Sequence, residues 1–247
     1  NAGVETTLEQ VQRLQADATP RVLLSWRFQQ AVYRAYYDAF LRARLIFETG
    51  LEEQAIEALR NAPQTGAAAA MAQAEAILER AAAEPAAPDL RARVFEMAEA
   101  LFQSIRMQLS VPRYQAIDAG RGGNLDLIDR PLNNRKWLEA QFVEIRGIKR
   151  PKEQLERIDA IVNWTNPGPG GFYDDLGDVA NQPHLVRLEV EDPEFRTTPR
   201  TGFSYSPNYR MSWVRFAETI YETPLVMQYD GLDARSEYKV RVTYAGD

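Results

Sequence analysis

The sequence of 247 residues contains no cysteine and only one histidine. Without thiols the chain cannot form a disulfide or a cysteine-ligated zinc site, and a single imidazole excludes a metal site built from several histidines. A catalytic triad of the Ser-His-Asp type would have to use His184. The sequence also lacks an apolar run of about eighteen residues, the length that predicts a membrane span. We therefore expect no transmembrane segment.

Acidic residues outnumber basic ones. The chain has 35 Asp and Glu and 29 Lys and Arg, which gives a formal charge of −6. This balance lacks the excess of positive charge that binding to duplex nucleic acid requires, so we expect no nucleic-acid partner. The hydrophobic fraction of 45% and the charged fraction of 26% are those of an ordinary globular protein. The N-terminus lacks the basic and apolar regions of a signal peptide, and we expect that any such peptide has been removed.

Residues 1–111 show helical periodicity and predict an antiparallel helical bundle. Large apolar residues recur on one stripe of a long helix that follows Thr19 and Pro20. The members of this stripe are Trp26, Tyr33, Tyr37, Phe40, Phe47 and Leu51. An aromatic stripe can line a cofactor pocket, but we interpret it as core because its spacing suits packing. The other predicted helices of this region cover residues 5–16, 67–83 and 89–109.

Residues 112–164 predict a Gly-rich loop and two further helices, at 133–145 and 151–164. Residues 165–247 begin with a Pro-rich and Gly-rich loop and then show short β-like runs. These runs cover residues 185–190, 212–216, 225–229 and 237–244. The sequence therefore predicts an α+β multidomain chain, in which the helical bundle is followed by an incomplete antiparallel β-sandwich.

One motif of the third region resembles known proteins. The run from Trp164 to Gly177, Trp-Thr-Asn-Pro-Gly-Pro-Gly-Gly-Phe-Tyr-Asp-Asp-Leu-Gly, resembles the C-terminal region of large bacterial exported proteins. The alternating run 238–244 resembles strands of jelly-roll carbohydrate-binding modules and galactose-binding-like domains. These resemblances imply a secreted or periplasmic bacterial protein and a carbohydrate ligand.

Residues 118–129 can be aligned with a calcium-binding loop. Asp118 takes the first position, and Asn124, Asp126 and Asp129 take the seventh, ninth and twelfth. Glycines stand where two oxygen ligands are needed, so the alternative is a turn whose aspartates cap a helix or pair with an arginine. We expect no cofactor, and Ca²⁺ at this loop is the alternative.

Acidic and aromatic residues near the Gly-rich loop predict a ligand site. Tyr173 offers a stacking face, and Asp174 and Asp175 offer hydrogen-bond acceptors. The alternative is a domain junction in which these carboxylates satisfy backbone donors. His184 precedes an apolar run and fits either a strand-entry residue or a base with a carboxylate or tyrosine nearby. The grouping of Tyr205, Tyr209, Arg210 and Trp213 suits a glycan surface and internal packing equally.

Three functions follow from these patterns. The first is a non-catalytic region that recognises a glycan, expected to be neutral because carboxylates repel acidic chains, or docks other domains of an exported multidomain protein. The second is a polysaccharide-active enzyme, a glycosidase or lyase, that uses carboxylates and His184. The third is a structural subunit of a larger assembly. The expected partners are a polysaccharide or other domains or chains of the same assembly, and we expect this chain alone not to be an enzyme.

Overall fold

The computed structural model describes residues 2–115, 123–178, 181–186, 196–199, 210–218 and 224–243. Its α-helices are α1 (Ala2–Asp17), α2 (Pro20–Leu23), α3 (Trp26–Arg60), α4 (Ala62–Thr65), α5 (Ala67–Ala83), α6 (Pro88–Ile105), α7 (Val111–Tyr114), α8 (Arg135–Gly147) and α9 (Pro151–Val162). Single 3-10 turns cover Asn124–Leu127 and Met211–Val214, and the strands are β1 (Arg196–Pro199) and β2 (Arg215–Glu218). Helices lie in all the regions where the periodicity predicts them, but the long helix α3 begins at Trp26, after the separate turn α2, and the helix expected to reach residue 109 ends at Ile105, where Arg106 takes a left-handed conformation.

Proline marks the starts of several helices. A proline occupies the first turn of α2, α4, α6, α7 and α9. Its fixed φ suits the first helical turn, where a backbone N–H has no intrahelical acceptor. The residues Pro63 and Pro112, which interrupt the sequence pattern, therefore lie inside the starts of short helices.

The described chain falls into two compact units. The first lies within residues 1–59 and 68–135, and the second within residues 60–67 and 136–247. None of the helices in the described residues has the length and apolarity needed to cross a bilayer. The domain limits expected at 111 and 164 stay a prediction.

The core of the first unit joins α3 to α6 and to the segment around the first 3-10 turn. Phe40 and Leu101 are at most 1% exposed, and Ile128 packs in the same cluster. Burial of such side chains contributes about 1.5–3 kcal/mol each. In the aromatic stripe Tyr33 and Phe40 are buried while Trp26 is 37% exposed, so the stripe serves mainly as core.

A buried ion pair fixes residues 128–134 to α3. Arg44 pairs with Glu48 one turn later and donates hydrogen bonds to the carbonyls of Ile128 and Arg130. The second carboxylate oxygen of Glu48 accepts a 2.7 Å bond from the N–H of Leu132. Both charges are thus satisfied by partners, as buried ions require.

The second unit is built on α8 and α9. The α8 face that carries Trp137, Leu138 and Phe142 is buried, as is Ile158 of α9. Gln154 donates hydrogen bonds of 3.4 and 2.8 Å to the carbonyls of Ile145 and Ile148, at and beyond the last turn of α8. These bonds satisfy carbonyl groups that a helix end leaves without intrahelical donors.

The predicted β-sandwich is wrong. The described residues contain one antiparallel pair of four-residue strands, with Arg196 opposite Glu218, and an isolated bridge between Leu185 and Met227. Residues 211–214 form a 3-10 turn where a strand was expected. Residues 187–190 lie outside the described residues. A single short pair has no second layer against which to bury a face, so neither a sandwich nor a jelly-roll carbohydrate-binding module is present in the described part of the chain.

The alternating run at residues 237–244 is also not a strand within its described part, residues 237–243. Val240 is 88% exposed and Val242 is 67% exposed. Alternation of polar and apolar residues stabilises a strand only where a neighbouring strand accepts its backbone bonds and one face is covered. The pattern was therefore misleading, because neither condition is met among the described residues.

Candidate functional site

The loop predicted to carry the site lies in the second unit and is tightly turned. Gly168 and Gly170 have φ values of +87° and +73°, which side-chain-bearing residues rarely adopt. The N–H of Gly171 donates to the carbonyl of Gly168 at 3.1 Å. A Cβ on Gly171 would lie 2.8 Å from the Cβ of Pro167, so the turn depends on glycine there. The turn leads directly into Phe172, Tyr173 and Asp174.

Asp174, His184 and Tyr229 form a hydrogen-bonded trio. One carboxylate oxygen of Asp174 lies 2.8 Å from Nδ1 of His184. The other oxygen accepts a 3.0 Å hydrogen bond from the hydroxyl of Tyr229. The side chain of Asp174 is 7% exposed and that of His184 is 24% exposed. The acidic group is therefore enclosed, while the imidazole reaches the surface.

Backbone pairing holds the histidine and the tyrosine together. The N–H of Gln228 donates to the carbonyl of His184 at 2.9 Å, and the N–H of Val186 donates to the carbonyl of Val226 at 3.0 Å. These bonds flank the antiparallel bridge between Leu185 and Met227. His184 is thus positioned by its main chain as well as by Asp174.

The ring of Phe172 packs against the two rings of the trio. The centroid of His184 lies 4.7 Å from that of Tyr229 and 4.9 Å from that of Phe172. Phe172 and Tyr229 are 5.0 Å apart, and Phe172 is 37% exposed. These contacts restrict the rotation of the imidazole and present an aromatic edge to solvent.

The carboxylate determines which imidazole nitrogen carries the proton. An ionised carboxylate only accepts hydrogen bonds, so Nδ1 of His184 donates to Asp174 and Nε2 is the acceptor of the neutral ring. Nε2 has no hydrogen-bond partner among the described residues. Burial, together with the hydrogen bond and the charge of Asp174, raises the pKa of Tyr229. Tyr229 therefore remains a neutral donor to Asp174.

Asp175 has a structural role in the same loop. Its Oδ1 accepts a 3.0 Å hydrogen bond from the N–H of Gly177, and Gln182 donates to the carbonyl of Leu176 at 2.7 Å. Gly177 is buried so closely against β2 that an added Cβ would lie 2.4 Å from the carbonyl oxygen of Arg215. Asp175 therefore stabilises the turn that fixes Asp174, rather than sharing a site with it.

A second cluster contains Arg210 and Trp213, the remaining predicted residues. Trp164 lies 5.3 Å from Trp137 and 6.0 Å from Trp213, between ring centroids. The guanidinium of Arg210 lies 4.5 Å from the ring of Trp137 and 4.8 Å from that of Trp164. That of Arg241 lies 4.6 Å from Trp164. We call these five residues the tryptophan–arginine cluster.

Tyr173 lies near this cluster, at the position preceding Asp174. It is 42% exposed. Burial and the charge of Asp175 raise the pKa of Tyr173, while the positive charge of Arg210 opposes that rise. Tyr173 is therefore a neutral, accessible ring near the positive charge of Arg210.

The residues of the predicted calcium loop have protein partners. Asp126 accepts hydrogen bonds from the hydroxyl of Ser110 and from the N–H groups of Val111 and Gly123, at 2.7 to 2.9 Å. Asp129 forms two hydrogen bonds, of 3.0 and 2.6 Å, with Arg91. The backbone carbonyl of Asn124 lies 3.4 Å from the hydroxyl of Tyr37. Within the described part of the chain no three acidic or histidine side chains form a metal-binding group.

Asp118 lies outside the described residues, as do Tyr205 and Tyr209. The calcium hypothesis therefore stays a prediction. A calcium ion at this loop would have to compete with the donors that Asp126 and Asp129 already have.

Sequence reasoning missed Tyr229 and Arg241 as site residues. Tyr229 stands in a predicted strand, and antiparallel pairing of that run with residues 185–190 would have brought it near His184. Arg241 belongs to a run whose alternation suggested a strand, which concealed its contact with Trp164. Trp164 begins the motif that carries the resemblance but was not singled out as a site residue, and Trp137 carried no signal beyond its size.

No family model, curated protein or solved structure matches this chain. The resemblance to exported bacterial proteins thus has no match in these comparisons, and the likeness to jelly-roll domains is wrong because the described residues are mostly helical.

Proposed function

We propose that the second unit carries a proton-transfer site in which Nε2 of His184 meets the substrate. The observation that supports this proposal is the pairing of the partly exposed His184 with the enclosed carboxylate of Asp174. A base must present an unprotonated nitrogen to solvent, and a carboxylate on the opposite nitrogen provides this tautomer. Asp174 is here a positioning residue, because both of its oxygens are occupied.

The trio would act as follows. Nε2 of His184 takes a proton from a hydroxyl, a water molecule or an acidic C–H of the substrate, and the imidazolium that forms is stabilised by the charge of Asp174. Tyr229 donates to the second oxygen of Asp174 and so fixes the plane of the carboxylate. Phe172 limits rotation of the imidazole from another side.

A polysaccharide is the substrate class that we propose, in line with the second function expected from the sequence. The exposed ring of Phe172 supplies an apolar face beside the imidazole, and sugar rings present apolar faces of matching size. Export of the chain from the cell stays a prediction. Glycan recognition without chemistry is the function that remains if binding occurs without turnover.

The test is a panel of neutral and acidic polysaccharides, assayed for new reducing ends and for the unsaturated ends that elimination produces. If the wild type is active, His184→Gln should lower kcat by about 10²–10⁴-fold, the usual contribution of general base catalysis. Asp174→Asn should lower kcat at little changed KM, because the imidazole loses the acceptor that orients it and the imidazolium loses its carboxylate partner. A purely structural role of Asp174 would instead appear as a lower free energy of unfolding with kcat preserved in the folded protein.

Asp230→Asn is the matched control, since Asp230 is exposed and directly follows Tyr229. It should leave kcat and KM unchanged. Absence of turnover on the whole panel, or equal activity of wild type and His184→Gln, would contradict the proposal.

A further inference from the structure

The tryptophan–arginine cluster places two guanidinium groups on one indole. Arg210 and Arg241 lie 4.8 and 4.6 Å from the centroid of Trp164. Each contact is favourable because the ring face attracts a cation. The indole thus holds the guanidinium of Arg241 beside a second positive charge.

Arg241 has no carboxylate partner among the described residues. The residue is exposed, and its guanidinium lies 4.6 Å from the centroid of Trp164. By contrast, Arg235 of the same segment is paired with Asp233 at 3.1 Å. Arg241 is therefore an accessible fork of N–H donors, a group that binds a carboxylate through two parallel hydrogen bonds.

The segment that carries Arg241 is turned by a hydrogen bond within the segment. The hydroxyl of Tyr238 accepts a 2.8 Å hydrogen bond from the N–H of Asp233 and lies close to Gly170. This contact, three residues before Arg241, limits the freedom of the segment. The cation is thus partly preorganised for a ligand, which reduces the entropy lost on binding.

We propose that Arg241, supported by Trp164 and Arg210, is an anion subsite that binds the carboxylate of an acidic polysaccharide. This inference rests on the proposed function, because it names the substrate class of the His184 site in the same unit. It differs from the neutral ligand expected from the sequence. That expectation assumed free carboxylates, whereas both oxygens of Asp174 accept hydrogen bonds from His184 and Tyr229.

The ligand class follows from the groups present. The guanidinium of Arg241 favours an anion, and the exposed ring of Tyr173 offers a face on which a sugar stacks. A uronic acid combines a planar carboxylate with such a ring. An inorganic oxyanion supplies the charge alone, so it is expected to bind more weakly.

The experiment is calorimetric titration of the full chain with oligogalacturonate, with its methyl-esterified neutral form, and with inorganic phosphate. Oligogalacturonate should bind at least about tenfold more tightly than the other two probes. Arg241→Gln should weaken oligogalacturonate binding about tenfold or more, as expected for loss of a charge-assisted hydrogen bond. Arg241→Lys should bind with an affinity between those of the wild type and Arg241→Gln. Lysine keeps the positive charge but lacks the paired N–H donors of the guanidinium.

Arg235→Gln and Lys239→Gln are the matched controls, since each removes one positive charge from the same exposed segment. Equal affinity for the acidic and the neutral oligomer, equal competition by phosphate, or the same loss in Lys239→Gln as in Arg241→Gln would overturn the inference. His184→Gln separates the two proposals. It should lower turnover about 10²–10⁴-fold and weaken oligogalacturonate binding less than Arg241→Gln does, so a failure of catalysis and a failure of binding are distinguishable.

Discussion

Arg44 is the residue on which the order of a whole segment depends. Its guanidinium and the carboxylate of Glu48 bind three backbone groups of residues 128–132. Arg44→Met should lower the free energy of unfolding by about 3–5 kcal/mol, because it leaves Glu48 buried without a counter-ion. The double variant Arg44→Met, Glu48→Leu should be less destabilised than this single variant. Urea denaturation followed by circular dichroism measures both.

Arg34 and Asp38 provide the control on the same helix. They form an i,i+4 pair at 2.7 Å, but the side chain of Arg34 is 67% exposed. An exposed pair contributes at most about 1 kcal/mol, so Arg34→Met should have a small effect. Similar losses in the two single variants would show that burial of Arg44 does not determine its contribution.

Individual site residues could be predicted from the sequence only where their neighbours indicated them. Asp174 stands in a Gly-rich loop beside an aromatic ring, and His184 is the only imidazole, so both were proposed from residue type alone. Their pairing could not be derived, because it depends on how residues 171–178 and 182–186 fold back on each other. Tyr229 is 55 positions from Asp174, and no local pattern joins them.

At the scale of the element, helices were predictable and strands were not. A helix such as α6 satisfies its backbone bonds internally, so periodicity and Pro88 at its start are enough to identify it. A strand needs a second strand for its backbone hydrogen bonds, and that second strand can lie far along the chain. The run 237–244 has the alternation of a strand, yet its described part lacks that partner and stays exposed.

Two glycines should respond in opposite directions to alanine. Gly177→Ala should destabilise the turn below Asp174, because its Cβ would lie within 2.8 Å of three atoms of Arg215. Gly50 lies within α3 with nothing within 4 Å of an added Cβ, so Gly50→Ala should stabilise the chain by about 0.5–1 kcal/mol. Thermal unfolding of both variants measures the difference. A neutral Gly177→Ala would contradict the close packing against β2.

At the scale of the whole molecule, the sequence predicts where helices occur but not how segments combine. Residues 60–67 belong with 136–247 rather than with their sequence neighbours. The contact between α4 and α9 accounts for this grouping, and it joins residues that are about ninety positions apart. Pro63 and Gly66 mark a break in the helical pattern, but nothing local shows with which part of the chain residues 60–67 pack.

The free energy of unfolding of the whole chain should decrease in acid. Burial raises the pKa of Asp126, but three hydrogen bonds, from Val111, Ser110 and Gly123, outweigh it and lower the pKa. The hydrogen bonds from Arg91 lower the pKa of Asp129 against its own burial. The folded pKa values thus lie below that of an unfolded aspartate, about 3.9. The stability from these bonds is fully present above that value and is lost as the pH falls through the folded values.

Free energies of unfolding from urea titrations at pH 7, 5, 4 and 3 test this linkage. We expect the wild type to lose stability steeply below about pH 4, the unfolded pKa of aspartate. Asp126→Asn should be less stable at pH 7 and show a shallower loss below pH 4, because the titrating carboxylate is gone. Asp17→Asn is the control, since Asp17 is exposed at the end of α1 and accepts no hydrogen bond among the described residues. If Asp126→Asn kept the full slope of the wild type, the hydrogen bonds to Asp126 would not contribute to acid sensitivity.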